Sequence, residues 1–366
     1  MLLKRSAGKY THKHFRLYVI LMLTIAALFF SCKNKREERQ IERSFYYWRS
    51  VLKFNDYEKQ QLDSLKVRTL YIKFFDVVWD EAKKDAMPVS KLLADKNALA
   101  FIRQASGSTF TIIPTVFITN ECMQRIDSAQ IQNLAQNIHS LIIQLTESYS
   151  FNSIAEIQFD CDWTVATKNN YFLLLGKIKA IWKNTAIPIS ATIRLHQIKF
   201  LTKTGIPPVD KGLLMCYNMG NLKDPGSNNS IIETKELKKY ISDLSNYPLS
   251  LDVALPLFDW KVLFRNAQYS GLIRDLSSSA LTNSFTKKNG NRYEILKDTL
   301  LQGYELKKGD IVKDEQSNYE EIISATNEIS SRLKNTQIRV ALYHLDSVLL
   351  SKYTTHELEN IYNSLR

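Results

Sequence analysis

The stretch Ala155-Glu156-Ile157-Gln158-Phe159-Asp160-Cys161-Asp162-Trp163-Thr164 alternates apolar and polar side chains without a break. Successive residues of a strand point to opposite faces, so Ala155, Ile157, Phe159, Cys161 and Trp163 share one face, and Glu156, Gln158, Asp160 and Asp162 share the other. An apolar face under covering helices and a polar face turned inward is the pattern of a strand in a closed barrel.

Seven further β-rich runs surround it: Phe45 to Val51, Thr69 to Asp76, Phe110 to Ile118, Ile189 to His196, Gly212 to Asn218, Leu249 to Leu257 and Ile338 to Leu345. Helical patterns fill most of the gaps, at Glu58 to Leu65, Ile131 to Ser148, Lys168 to Lys183, Glu233 to Leu244, Tyr319 to Lys334 and His356 to Leu365. Strands alternating with helices imply parallel pairing with crossovers. Eight such units close most simply into an α/β fold of the TIM (β/α)8 barrel type. An open doubly wound sheet is the competing architecture, but no Gly-rich phosphate turn accompanies it. Residues 261–337, between strands seven and eight, form an insertion with a hairpin around Tyr293 to Val312 and a helix.

Parity sorts the other strands as well. Thr192, Arg194 and His196 turn inward on the fifth, Met215 and Tyr217 on the sixth, Asp252 on the seventh, and Arg339 and Tyr343 on the eighth. With Glu156, Asp160, Asp162 and Lys73, this fills the interior with charge, which must pair because an unpaired buried ion costs several kcal/mol. Glu156, Asp252 and Arg339 lie deep and read as scaffolding. Asp160, Asp162, His196 and Tyr217 lie at the carboxyl ends of their strands, the face on which barrel enzymes bind ligands. Cys161 and Cys216 fall under helices as inert thiols.

The first 31 residues have the parts of a secretory signal: a basic start (Lys4, Arg5, Lys9, Lys13, Arg16), an apolar run from Leu17 to Phe30, and a small residue, Ser31, before Cys32. That run falls short of the about 20 residues needed to span a bilayer. Phe29-Phe30-Ser31-Cys32 resembles a bacterial lipobox, which implies a lipid on Cys32. Residues 1–31 are then a cleaved leader, 32–43 a polar tether and 44–366 the barrel, a lipoprotein of the cell envelope on the periplasmic side or the cell surface. Loss of the five basic residues lowers the net charge from +12 to +7. Export argues against nucleic acid as partner. The four histidines beyond the leader show no paired spacing, so neither a metal nor any other cofactor is implied.

Phe159-Asp160-Cys161-Asp162-Trp163-Thr164 resembles the fourth-strand signature of glycoside hydrolase family 18, the chitinases and their relatives, and Met215-Cys216-Tyr217-Asn218 resembles that family's sixth-strand motif. From Tyr46 to Arg274, with Phe74-Phe75-Asp76 and Thr192-Ile193-Arg194-Leu195-His196-Gln197, the chain also resembles a group of exported bacterial TIM-barrel lipoproteins, a likeness that brings a fold but no activity. The first resemblance implies that Asp162 orients a sugar's acetamido group, with Asp160 as its buried neighbour and Tyr217 as a hydroxyl donor. It also implies a general acid at position 164, which here is Thr164, and an Asp at position 157, which is Ile157. A hydroxyl does not protonate a leaving glycosidic oxygen near neutral pH.

Three functions follow. The first is an envelope-anchored carbohydrate-binding barrel resembling chitinase-like proteins, its glycan or glycopeptide held by Asp162, Tyr217, His196, Arg194 and Asn218, with Trp163, Trp260 and Phe258 for stacking. The second is a glycoside hydrolase with altered acid/base residues, Asp162 acting with Asp160 or His196. The third is a structural or assembly lipoprotein.

Overall fold

The structure is a computed structural model that describes residues 38–104, 110–152, 154–274 and 276–366. The leader, Cys32 and the beginning of the tether lie outside the described residues. Eight parallel strands close into a ring: β1 (Gln40–Tyr47), β2 (Thr69–Asp80), β3 (Thr111–Ile118), β4 (Ile157–Asp160), β5 (Ile189–Arg194), β6 (Lys211–Met215), β7 (Leu251–Pro256) and β8 (Gln337–Tyr343). Each pairs with its sequence neighbour, and β8 pairs with β1 from Gln40↔Gln337 to Phe45↔Leu342, so no edge is left open. The fold is a TIM barrel. β1 starts at Gln40, four residues before the boundary read from the sequence, because Ile41 and Arg43 continue the register set by Phe45.

The outer layer follows the expected pattern in most gaps. The longest helix, Ser128–Ser148, is started by a capping box in which the Asp127 side chain accepts from the Gln130 backbone amide and the Gln130 side chain accepts from that of Asp127. It buries Ile131, Leu134, Ala135, Ile138, Ile142 and Leu145, spaced three and four apart on one stripe. Helices Asp56–Ser64, Lys168–Ile181, Tyr319–Ser330 and Thr355–Asn363 lie where they were expected. The span Glu233 to Leu244 does not form one helix. Only Thr234–Leu237 is helical, and a single 3-10 turn, Leu244–Asn246, follows a stretch in which Ser242, Asp243, Ser245 and Asn246 are weak helix formers.

Inside the barrel the amino end is closed by an ion network. Arg339 donates from Nη1 to Glu156 Oε2 at 2.9 Å and to the Tyr71 hydroxyl at 3.1 Å, and from Nε to Glu42 Oε1 at 2.9 Å. Lys211 pairs with Asp252 and lies 3.5 Å from Glu156, whose other oxygen accepts from the Ser190 hydroxyl. The deep charges thus neutralise one another, as their scaffolding role requires. One layer up, the Tyr46 hydroxyl donates to Gln158.

The insertion is a separate antiparallel sheet of five strands, Gln268–Ile273, Asp259–Arg265, Ile311–Gln316, Arg292–Ile295 and Thr286–Asn289 in spatial order. Tyr293 pairs with Val312, and both enter a small core with Ile273, Leu276, Leu281, Ile295 and Leu306. The sheet starts at Asp259, two residues earlier than expected, so Trp260 and Lys261 belong to it and stand beside the barrel mouth.

Candidate functional site

At the carboxyl ends of the strands is a cavity of about 940 Å³. Asp160, Asp162, Arg194, Tyr217, Asn218, Phe258 and Trp260 all line it, so seven of the residues read from the sequence as site residues converge. Its two halves differ in chemistry. The β4 and β5 side is polar and charged. From β3 around through β1, β8, β7 and β6 the wall is aromatic: Phe117, Trp48, Tyr343, Tyr217, Phe258 and Trp260 run in a chain of rings with centroids 5.2 to 6.3 Å apart. Edge and offset stacking at such distances holds each ring against its neighbours.

On the polar side, Asp160 is buried and its Oδ1 accepts from the Thr192 hydroxyl at 2.6 Å. Burial, with the Asp162 charge nearby, pushes its carboxyl up to about 6 against the opposing pull of Arg194. Asp162 is half-exposed and engaged at both oxygens, by Arg194 Nε at Oδ1 and by Nη2 at Oδ2 at 2.9 Å. Such bidentate pairing fixes both side chains. On the aromatic side, Tyr217 is buried, and its hydroxyl has no hydrogen-bond partner among the described residues. Burial, with Tyr343 alongside, raises its proton affinity, so it stays a donor. An unsatisfied buried hydroxyl costs about 1–3 kcal/mol, which a ligand's acceptor would recover.

Two residues read as ligand contacts lie elsewhere. Trp163 is fully buried on the helix side, stacked on Tyr171 at 5.4 Å, with its indole donating to the Thr204 carbonyl at 3.1 Å. Its odd parity already put it under the helix, and neither ring face is open to a sugar. His196 does not extend β5. The strand ends at Arg194, where the backbone amide donates to Gln197 Oε1 at 2.7 Å, and a short helix, Leu195–Lys199, carries His196 onto its exposed face, outside the cavity lining but near enough to feel the charges of Arg194 and Asp162. Thr164 is also outside the wall, and its hydroxyl pairs with that of Thr167 at 3.3 Å.

Several wall residues escaped the sequence reading. Trp48 lies just past β1, and His344, Asp346, Val348, Leu349 and Lys352 form a rim after β8. Asp259 and Asp346 bring further carboxylates to the mouth. Burial pushes Asp259 up, but Lys352 and Lys261 outweigh it; burial pushes Asp346 up, but the Leu349 amide and Arg49 outweigh it, so both carboxyls lie below the usual range. Asp76 is hidden by a bulge in β2 between Lys73 and Phe75. Residues three apart in a regular strand face opposite sides, but the extra residue lets Lys73 meet Asp76 at 3.0 Å. Trp260 is held from behind, its indole donating to Glu315 Oε2 at 2.8 Å, while Glu315 Oε1 pairs with the fully buried Lys313 at 2.7 Å.

Comparison with solved structures finds the same barrel in chitinases and in a spore cortex-lytic enzyme. A GH18 chitinase from Cycas revoluta, in complex with (GlcNAc)4, has a TM-score of 0.55 at 12% identity, covering 88% of this chain and 99% of that one. The spore cortex-lytic enzyme SleL of Bacillus cereus has a TM-score of 0.51 at 12% identity, covering 90% and 75%. A chitinase from Chromobacterium violaceum has a TM-score of 0.52 at 9% identity, covering 88% and 98%. No protein-family model matches the chain, and no curated protein matches it. At these identities the similarity is one of fold.

Proposed function

We propose that this chain is a carbohydrate-binding barrel, tethered at the cell envelope through a lipid on Cys32, that holds a glycan in the mouth of the barrel. One observation carries the reading: an aromatic half-wall faces a polar half-wall across a single cavity, with Asp160, Asp162, Arg194 and Tyr217 on its lining. A sugar ring has apolar C–H faces and a hydroxyl edge, and a cavity lined by aromatic rings with a few convergent polar groups suits both.

A hydrolase with altered chemistry is the second reading, favoured by one feature, the Asp160 proton retained up to about pH 6. Asp162 fits an acid or nucleophile less well than the sequence suggested, because both its oxygens are occupied by Arg194. Turnover would then rest on Asp160.

Calorimetric titration with N-acetylglucosamine oligosaccharides tests the proposal. The expected result is saturable binding that falls about tenfold in Trp260→Ala, the scale of one aromatic contact, with no release of reducing ends. Wild-type binding that Trp260→Ala leaves unchanged would remove the cavity as the site. Reducing-end release that disappears in Asp160→Asn would make the protein a hydrolase instead.

A further inference from the structure

Among the described residues, the charged side chains at the rim of the cavity are paired except Arg274, and the buried Asp160 is held by the Thr192 hydroxyl rather than by a cation. Arg194 is engaged by Asp162, Lys352 and Lys261 flank Asp259, Lys261 also reaches Asp314 at 3.1 Å, and Asp346 is held by Arg49. Arg274 directly follows strand Gln268–Ile273 of the inserted sheet and lines the same cavity. It is exposed and makes no ion pair or hydrogen bond among the described residues. Its charge is felt at the Tyr343 hydroxyl, on the aromatic side of the mouth. Ser278 lines the cavity on the same lip. Its Oγ accepts from Gln316 Nε2 at 3.1 Å, which leaves its own hydroxyl proton free to donate.

Resting on the glycan-binding reading above, we infer that the saccharide taken by this cavity carries a carboxylate, and that Arg274, assisted by the Ser278 hydroxyl, receives it. A guanidinium presents its N–H groups in a planar fork that matches the two oxygens of a carboxylate. The cavity's own carboxylates do not repel such a ligand from this lip. Asp162, Asp259 and Asp346 each have a cation, and Asp160 belongs to the polar wall formed by β4 and β5, whereas Arg274 belongs to the inserted sheet. A wholly neutral sugar would leave Arg274 hydrated and indifferent. An acidic one turns the inserted sheet into a selectivity element at the barrel mouth. The carboxylate has two chemical sources, a lactyl ether on an amino sugar or the C6 acid of a uronic sugar.

Three oligosaccharides of equal length separate the outcomes: neutral N-acetylglucosamine units, the same backbone with lactyl ethers, and a uronic-acid oligomer. Each is titrated calorimetrically into wild type and Arg274→Gln at low and high salt. Wild type is expected to bind one acidic oligomer about tenfold more tightly than the neutral one, the scale of a single charge-assisted hydrogen bond. That preference shrinks with salt, and Arg274→Gln removes it. Which acidic oligomer wins identifies the source of the carboxylate. Equal binding of neutral and acidic oligomers by wild type, or a preference that survives in Arg274→Gln, overturns the inference and leaves the glycan cavity intact. Binding of none of the three sinks the cavity reading itself, and the acidic ligand with it.

Discussion

Replacing Asp160 by Asn asks whether the carboxyl in the barrel wall is as costly to ionise as its surroundings imply. The side chain is 4% exposed, and one oxygen accepts from Thr192 at 2.6 Å. Its carboxyl is pushed up to about 6, chiefly by burial, whereas in the unfolded chain an Asp titrates near 3.9. A folded pKa above the unfolded one means that the folded state binds the proton more tightly. The stability this supplies is fully present below about pH 4 and is lost as pH rises through 6. Two pKa units correspond to about 3 kcal/mol, an order-of-magnitude figure for a buried carboxyl near Arg194 and Asp162. Asn keeps the shape and cannot ionise. Asp160→Asn should therefore gain on wild type by about 2–3 kcal/mol at pH 7.5, and the gain should shrink steadily as pH falls from 6 toward 4. Urea unfolding of both proteins at several pH values reads this directly. A stability difference that stays constant with pH, or one that grows on acidification, would refute the assignment of a raised carboxyl to Asp160.

Two other substitutions probe the scaffold. Glu156→Gln removes the charge that faces Arg339 and Lys211 at the amino end of the barrel. It should cost about 1–3 kcal/mol by urea unfolding, because Arg339 loses one charged acceptor while Glu42 and Asp252 still face the two cations, and a cost under about 0.5 kcal/mol would show that the Glu156 charge is not needed. Trp163→Ala should cost about 3–5 kcal/mol through a cavity beneath helix Lys168–Ile181, with glycan affinity per folded molecule unchanged in calorimetry. Lost affinity without lost stability would return Trp163 to the binding site.

Much of the barrel was legible because its strands repeat a simple rule. Glu156 just before β4, Gln158 and Asp160 on it, Met215 at the end of β6, and Arg339 and Tyr343 on β8 all face inward as their parity requires, and Tyr293 meets Val312 as the hairpin required. The rule failed wherever the backbone left the regular strand. The helix beginning at Leu195 turned His196 aside, and the bulge at Phe74 put Lys73 and Asp76 on one face. Parity is a local property, and neither a strand's last residue nor an extra one within it is written in the alternation itself.

The sequence by itself determined the eight alternating units and the inward placement of Asp160 and Asp162, because periodicity and composition act over neighbouring residues. Only the tertiary structure decided that Arg194 occupies both oxygens of Asp162, that the Tyr217 hydroxyl has no hydrogen-bond partner among the described residues, and that Trp48, Phe258, Trp260 and Tyr343 close into one aromatic wall with Arg274 on its lip. These groups are far apart in the chain. Ring closure brings them together, and the geometry of closure depends on every strand at once.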